Sequence, residues 1–357
     1  MRIVQLTPGT GSYYCGSCMR DNGLVSELRR LGHDVSMAPL YLPLMLDEPS
    51  AVDAPMFFGG VNVYLQELSR VFRPTPAWVD RLLNTAPVLH AAAKRAGMTT
   101  PDELGELTLS MLKGQHGNQK KEITKIVEWL ATQPPPDVIC LSNAMLLGMA
   151  GALKEATKIP IACTLQGEDL FLDALPTPFR EQAWSLLKEQ ASNVNQFIAV
   201  SRYYGDRMQS RLGIDPTKLR IVYNGIDTTG YEPAAAPVDP PVLGFLARQC
   251  ADKGLGTLVD AFIELRRNLG IERLQLHVAG TKTRADEAFI SSLNDRLNHV
   301  GLRNDVLFKN ELTHEEKQRF LRSLSVLSVP ATFGESFGLY VLEALASGVP
   351  VVQPRNG

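Results

Sequence analysis

The sequence predicts an α/β protein made of two Rossmann-like domains, each a doubly wound parallel sheet. The chain has 357 residues, too many for one ordinary hydrophobic core and suited to two. Short apolar, β-branched runs alternate with helical patterns in both halves, which is typical of parallel sheets. Between the halves lies YEPAAAPVDPP (231–241), whose four prolines in eleven residues indicate an extended connector. We therefore predict domains over 1–235 and 236–357, with ligands in the crevice between them.

The first domain opens with a strand, a glycine-rich loop, a helix and a second strand. RIVQL is apolar and β-branched, the helix ends near Gly32, and Asp34 begins the next strand. Residues 41–133 are helical and irregular, too long for one crossover connection, and predict an insertion packed around the first sheet. Alternation then resumes, with predicted strands in DVICLS, IPIACTL, QFIAVS and RIVYNGI.

The second domain repeats this rhythm. Its predicted strands are PVLGFLA, LQLHVAG, DVLFKN, LSVLSVP and VPVVQP, with helices between them. One of these helices shows a capping box, Thr313 with Glu316. The sequence stops at Gly357 directly after a strand, where a doubly wound domain ordinarily continues into a helix. We therefore expect this domain to be incomplete in the given sequence.

The composition favours a soluble globular protein. Apolar residues make up 45% and charged residues 21%, and the formal net charge of -2 gives no overall attraction to nucleic acid. No export signal and no run of about 18 apolar residues is found, so we expect a cytoplasmic protein. A basic cluster is interpreted as a solvated helix face, with contact to an anionic membrane surface as the alternative; its members are Lys113, Lys120, Lys121 and Lys125. The oligomeric state is not indicated.

The segment GESFGLYVLEALASGVPVV carries the strongest candidate site. We predict a helix over 337–347, with Ser336 as its N-cap and Gly348 as its stop. Such a helix start offers unpaired backbone N–H groups to an anion. The candidate residues are Glu335, Ser336, Phe337, Gly338, Leu339 and Glu343.

A second candidate element, RQCADKG, follows the first strand of the second domain. Because ligands bind beyond the carboxyl ends of strands in doubly wound sheets, Arg248 and Lys253 are expected to project into the crevice. One guanidinium, one ammonium and a helix N-terminus together compensate the negative charge of a diphosphate. The chain has no Asp-x-Asp pair, the simplest carboxylate arrangement for holding a metal to a diphosphate. We therefore predict a diphosphate site that works without a metal or other cofactor.

These motifs, in the order VYNGID, RQCADKG and GESFGLYVLEALASGVPVV, resemble the retaining glycosyltransferases of family 4, which have the GT-B fold. LRRLGHDV and AVSRYYGDRM resemble the same family, so the likeness runs from Met1 to Gly357 and is weakest in the helical insertion. It implies that Arg248 and Lys253 hold the diphosphate of a nucleotide-sugar donor. It also implies that Glu335 contacts the donor sugar and Glu343 the ribose.

The resemblance implies further donor contacts in both domains. Backbone amides of 337–339 would contact the donor, and the first loop, with Gly9, Thr10 and Gly11, would face the diphosphate and the acceptor. Gln166 stands where the family usually has a histidine lining the sugar site. Glutamine forms hydrogen bonds but is no base, so we favour a positioning role, with Glu168 and Asp169 as polar neighbours. Family members also continue past the point where this sequence ends.

The cysteines do not predict a disulfide framework, because five of them are scattered through the chain. Cys15 and Cys18 form CGSC at a loop-to-helix junction. Ordinary loop packing is the favoured interpretation, and a redox-sensitive dithiol is the alternative. A single pair cannot complete a four-thiolate zinc site.

The expected activity is transfer of a sugar from a nucleoside diphosphate sugar to an acceptor hydroxyl, with retention at the anomeric carbon. The acceptor class, whether glycan, lipid or small molecule, is left open. Two alternatives stay open at this point. One is an epimerase or phosphorylase on the same architecture, since fold alone does not fix the reaction. The other is a nucleotide-sugar-binding protein with little or no turnover.

Overall fold

The computed structural model describes residues 1–9, 16–44, 46, 48–59, 63 and 101–357. The chain divides into two compact units, Met1–Asn224 and Gly225–Gly357. This division precedes the predicted boundary at residue 235. The reason is that the start of the proline-rich connector packs onto the second unit, where Tyr231 is buried with Phe320 and Leu321. The connector is therefore partly a packed element of the second unit.

The first unit contains a six-stranded parallel sheet in the order β2-β1-β3-β4-β5-β6. Strands β1 and β4 are almost wholly buried, as a parallel sheet covered on both faces requires, whereas the edge strand β6 is partly exposed. The bounds are β1 Arg2–Pro8, β2 Asp34–Leu40, β3 Val138–Leu141, β4 Ile161–Leu165, β5 Gln196–Ala199 and β6 Leu219–Ile221.

Helices of the first unit cover this sheet. Two of them, α2 and α3, belong to the predicted insertion, and α2 packs against α6, where a Cβ on Gly105 would come within 2.4 Å of the Phe179 ring. The bounds are α1 Gly16–Arg30, α2 Pro101–Leu112, α3 Lys120–Thr132, α4 Ala150–Thr157, α5 Asp169–Ala174, α6 Phe179–Gln190 and α7 Arg202–Leu212. The rest of the predicted insertion lies largely outside the described residues.

The second unit has a four-stranded parallel sheet in the order β10-β7-β8-β9. Its strands are β7 Val242–Leu246, β8 Gln275–Ala279, β9 Val306–Lys309 and β10 Val326–Leu327. Its helices are α8 Leu255–Arg267, α9 Glu287–His299, α10 His314–Arg322 and α11 Leu339–Ala346. The predicted last strand, VPVVQP, forms a single bridge from Val351 to Leu327. The α/β architecture with parallel sheets is as predicted.

Candidate active site

The candidate site of the second unit lies where its chain path changes direction. From β7 the chain moves outward through β8 to β9 and then returns to place β10 on the other side of β7. The loops after β7 and β10 therefore start side by side at one edge of the sheet, the usual ligand position in open α/β sheets. Thr332 joins them, because its backbone N–H and its hydroxyl both donate to the carbonyl of Asp252, at 2.9 and 3.2 Å.

This junction depends on one glycine. Gly254 has φ +77°, and a Cβ there would lie 1.8 Å from the carbonyl oxygen of Pro330. Only glycine allows both the left-handed conformation and the close approach of the two loops. Gly254 is also the N-cap of α8, so the loop that carries Lys253 runs from the end of β7 to the start of this helix.

Lys253 and Glu335 form an ion pair across this junction, with 2.5 Å between Nζ and Oε2. Both side chains are 23% exposed, so the pair is accessible to a ligand. The Lys253 ammonium also lies 4.8 Å from the centroid of the Phe333 ring. Tyr340 hydrogen-bonds Glu335; burial first, and then the carboxylate charge, raise the pKa of this tyrosine. The structure thus brings together two predicted site residues and adds Tyr340, whose place in a helix pattern gave no functional signal.

The start of α11 differs from the prediction. The helix begins at Leu339, and its N-cap is Gly338 with φ +82°, whereas Ser336 lies in the preceding loop. Ser336 is therefore not the N-cap, because the left-handed glycine turns the chain into the helix two residues later. Phe337 also precedes the helix, and Val341 N–H already bonds the Gly338 carbonyl at 3.0 Å. The helix start still lies directly beyond Glu335, as predicted.

Arg248 pairs with Asp286. Its Nε and Nη2 both donate to this carboxylate, at 3.1 and 3.0 Å, and Nη2 also reaches the Thr283 hydroxyl at 3.3 Å. Burial raises the pKa of Asp286, but hydrogen bonds from Thr283 and Arg248 outweigh it and lower that pKa below its ordinary value. The Arg248 side chain is 48% exposed, so it is accessible to a ligand while Asp286 orients it. The sequence did not indicate Asp286.

Glu343 is buried, with a partner that the sequence analysis missed. Its Oε1 lies 2.7 Å from Lys317 Nζ and accepts the Tyr231 hydroxyl at 3.3 Å. Lys317 and Glu343 are only 8% and 9% exposed. Burial, followed by the charge of Glu343, raises the pKa of Tyr231. A lysine in a helix pattern gave no signal, because only the packing of α10 against α11 brings it to Glu343.

In the first unit, Gly9 has a structural reason to be glycine. A Cβ at this position would lie 1.5 Å from the carbonyl oxygen of Leu42, and Gly9 N–H donates to Leu40 at 2.8 Å. Gly9 thus allows the chain after β1 to run against the chain after β2. Thr10 and Gly11, which were predicted to face the diphosphate, lie outside the described residues.

Gln166 follows β4 and is held by the protein itself. Its Nε2 donates to the Ser142 carbonyl at 2.6 Å, and its backbone N–H donates to Glu168 at 2.9 Å. Glu168 is buried and also accepts from Ala144 N–H and the Tyr204 hydroxyl, both at 2.8 Å. Glu168 therefore stabilises the loop that carries Gln166. Its fellow candidate Asp169 is likewise buried and lies 2.5 Å from an arginine, Arg207.

The structure describes the cysteine pair, and the contacts of the basic cluster, only in part. Cys18 is buried, and its thiol donates to the Pro8 carbonyl at 2.8 Å, while Cys15 lies outside the described residues. In the basic cluster, Lys125 pairs with Glu122 at 2.9 Å. Among the described helices, none combines the length and the apolar character needed to cross a membrane. The described side chains also include no group of three or more metal-ligating residues.

Family models match both units of the chain, and relatives match over most of its length. The model for Glycosyltransferase Family 4 matches residues 58–229, and that for Glycosyl transferases group 1 matches residues 231–356. A D-inositol 3-phosphate glycosyltransferase of Corynebacterium kroppenstedtii is 22% identical over 87% of this chain and 72% of its own. A D-inositol 3-phosphate glycosyltransferase of Nocardioides sp. is 27% identical over 99% of this chain and 81% of its own. An MMP alpha-(1->4)-mannosyltransferase of Mycolicibacterium hassiacum is 27% identical over 48% of this chain and 39% of its own.

Solved structures agree on the fold. Anabaena HepE in complex with UDP superimposes with a TM-score of 0.65 at 14% identity, over 100% of this chain and 81% of that one. Sucrose-phosphate synthase of Thermosynechococcus elongatus gives a TM-score of 0.68 at 17% identity, over 100% of this chain and 82% of that one. Two family models in tandem, the relatives and the shared architecture lead to one conclusion. The chain is a glycosyltransferase with the GT-B fold and belongs to the family 4, group 1 glycosyltransferases.

Proposed function

We propose that the chain transfers a sugar from a nucleoside diphosphate sugar to an acceptor hydroxyl, with retention at the anomeric carbon and without a metal. The observation that carries this proposal is the accessible Lys253–Glu335 pair where the chain path of the second sheet changes direction. Lys253 supplies a cation for the diphosphate, and Glu335 supplies a carboxylate for the sugar hydroxyls. The 2.5 Å distance between Lys253 Nζ and Glu335 Oε2 supports assigning both roles to neighbouring parts of one donor.

Donor binding exchanges the partners of this pair. The diphosphate takes over the Lys253 ammonium, which frees the Glu335 carboxylate to accept hydrogen bonds from the sugar. Tyr340 keeps its hydrogen bond to Glu335 and so orients the carboxylate during the exchange. Because each charge exchanges one partner for another, neither is left unpaired, a state that would be costly in a partly buried site.

Two cations carry the electrostatic part of the reaction. As the glycosidic bond to the donor phosphate breaks, negative charge grows on the leaving diphosphate, and Lys253 and Arg248 stabilise it more in the transition state than in the ground state. The acceptor hydroxyl attacks from the face that the diphosphate leaves, and its proton passes to the departing phosphate oxygen. Asp286 holds Arg248 in a bidentate contact and acts as a positioning residue. With two cations and the start of α11 at the diphosphate, no divalent ion is required.

Glu343 is proposed to hold the ribose of the nucleotide. Lys317 and the Tyr231 hydroxyl both bind its Oε1 and fix the carboxylate within α11. A carboxylate accepts hydrogen bonds at two oxygens, which suits a vicinal diol. The anchored Oε1 then leaves Oε2 as the oxygen that a ribose hydroxyl contacts.

The relatives suggest the first donor to test. Anabaena HepE has been solved with UDP and with UDP-glucose, so UDP-sugars are the starting choice. The relatives in sequence are named for transfer to D-inositol 3-phosphate and for mannosyl transfer, which leaves the acceptor of this chain open. A thermal-shift screen with UDP-, GDP- and ADP-sugars would identify the base by the stabilisation that binding gives.

The proposal predicts that Lys253→Ala or Glu335→Ala lowers transfer from the donor found in this screen by at least about a hundredfold. Both side chains are partly exposed, so the fold should survive, which circular dichroism can verify. Lys188→Ala, at an exposed lysine of α6 in the first unit, is the matched control and should retain full transfer. Normal transfer by both site variants would refute the assignment.

The same assay separates the alternative activities. Net transfer to an acceptor supports a transferase. If NMR of the anomeric proton shows the same anomeric configuration in the product as in the donor, the transfer is retaining. Conversion of the donor to an isomer without an acceptor would indicate an epimerase instead. Donor binding by calorimetry without any product would indicate a binding protein. Transfer that persists after exhaustive treatment with EDTA supports the metal-independent step.

A further inference from the structure

The first unit has its own change of chain direction. The chain passes from β1 outward to β2 and later returns to place β3 on the other side of β1. The carboxyl ends of β1 and β3 therefore border a crevice of the kind that binds ligands in open α/β sheets. Helix α1 follows β1, so its first turns lie at this same end of the sheet.

A buried carboxylate organises this end of the sheet. Asp21, in α1, is fully buried and accepts the Thr7 hydroxyl at 2.9 Å and Gln5 Nε2 at 3.3 Å. Ser142, directly after β3, forms a further hydrogen bond to it. Arg20 Nη1 donates to Asp21 at 2.8 Å. Asp21 therefore connects α1 with both strands and fixes the position of Arg20.

Arg20 has one guanidinium nitrogen to spare. Its side chain is only 9% exposed, Nη1 is used by Asp21, and Nε donates to Asn224 at 3.3 Å. Among the hydrogen bonds of the described residues, none is donated by Nη2. A mostly buried guanidinium with an unused N–H donor favours an oxyanion as the partner of that nitrogen.

We propose that Arg20 binds an anionic group, a phosphate or a carboxylate, of the sugar acceptor. The site lies at the carboxyl ends of β1 and β3, and the N-terminal end of α1 adds its positive dipole to the guanidinium. That the ligand is the acceptor rests on the proposed transferase function. The anion site itself rests only on the geometry of Arg20 and Asp21.

The test uses inorganic phosphate and acetate as probes in a variant that lacks the donor cations. In the Arg248→Ala/Lys253→Ala double variant, phosphorus NMR titration should detect phosphate binding, and thermal shifts at constant ionic strength should compare phosphate with acetate. Adding Arg20→Met should weaken the binding of the preferred anion by at least about tenfold. Arg30→Met, at an exposed arginine of the same helix, is the matched control and should change nothing.

Arg20→Lys controls for a loss of folding in Arg20→Met. It keeps a positive charge beside Asp21 but replaces the guanidinium by an ammonium. It should fold like the parent and bind the anion more weakly. Equal anion binding with and without Arg20, or no binding of either probe to the double variant, would overturn the proposal. None of these measurements involves sugar transfer. A failure of the transferase function therefore shows in the transfer assay alone, and a failure of the anion site shows here alone.

Discussion

At the scale of single residues, the candidate site is a set of charges that neutralise one another. Lys253 pairs with Glu335, Arg248 with Asp286 and Lys317 with Glu343. The first pair is partly exposed on both sides, so a ligand can exchange its partners, whereas in the second pair the buried Asp286 holds a half-exposed Arg248. The third is buried, and for a buried pair the loss of one partner leaves an uncompensated charge.

The buried pair therefore predicts a large effect at a residue that the sequence did not indicate. Lys317→Met should lower the free energy of unfolding by about 3–5 kcal/mol, because Glu343 is left charged and buried. It should also raise the KM for the donor, since Glu343 loses its fixed position. Denaturant unfolding and donor titration measure the two effects. Lys188→Met, at an exposed lysine, should stay within about 0.5 kcal/mol of the parent. Equal stability of the two variants would contradict a structural role for the pair.

At the scale of elements, periodicity predicted the parallel strands and most helices, because burial on both faces leaves a continuous apolar run. The sequence also indicated that Lys253 and Glu335 lie near one another, since each follows a strand and adjoins a glycine. The helix start was not, because a serine resembles an N-cap in sequence whereas Gly338 supplies the left-handed turn. Asp286 and Lys317 were missed for another reason, since their partners come from other elements through tertiary packing.

The contact between the loops after β7 and β10 predicts that Gly254→Ala is more harmful than an ordinary glycine substitution. Gly254 and Gly270 share a left-handed φ, +77° and +71°, but only at Gly254 would a Cβ meet backbone, with Pro330 O at 1.8 Å. Each alanine costs about 1 kcal/mol for its conformation. The clash should add about 1–3 kcal/mol at Gly254 alone.

Gly254→Ala should also lower the transfer rate, because the two loops can no longer hold Lys253 against Glu335. Denaturant unfolding and the transfer assay together check this expectation, with Gly270→Ala as the control in open space. If both variants lost the same stability and neither lost activity, the two loops would not depend on their close contact.

At the scale of the whole molecule, each unit has its own sheet and its own hydrophobic core. The core that includes Leu6, Ile139 and Phe197 draws its buried residues from the first unit, and the one that includes Phe245 and Phe262 draws them from the second. A ligand that binds only the native state stabilises the unit that it contacts. Four of the proposed donor contacts, Lys253, Arg248, Glu335 and Glu343, belong to the second unit.

Binding of UDP is therefore predicted to protect the second unit in hydrogen exchange. At a concentration of about 100 times Kd, the ligand adds about 2.7 kcal/mol to the free energy of any opening that destroys the site. Amides of β7 to β10, which exchange through such openings, should slow accordingly when peptides are followed by mass spectrometry. Amides of β4 to β6 in the first unit do not depend on the donor contacts for their stability and should change less. Lys253→Ala should remove most of the protection at the same UDP concentration, because the diphosphate loses its ammonium partner. If UDP protected that variant equally, or protected only the sheet of the first unit, the nucleotide would not bind at the loops after β7 and β10.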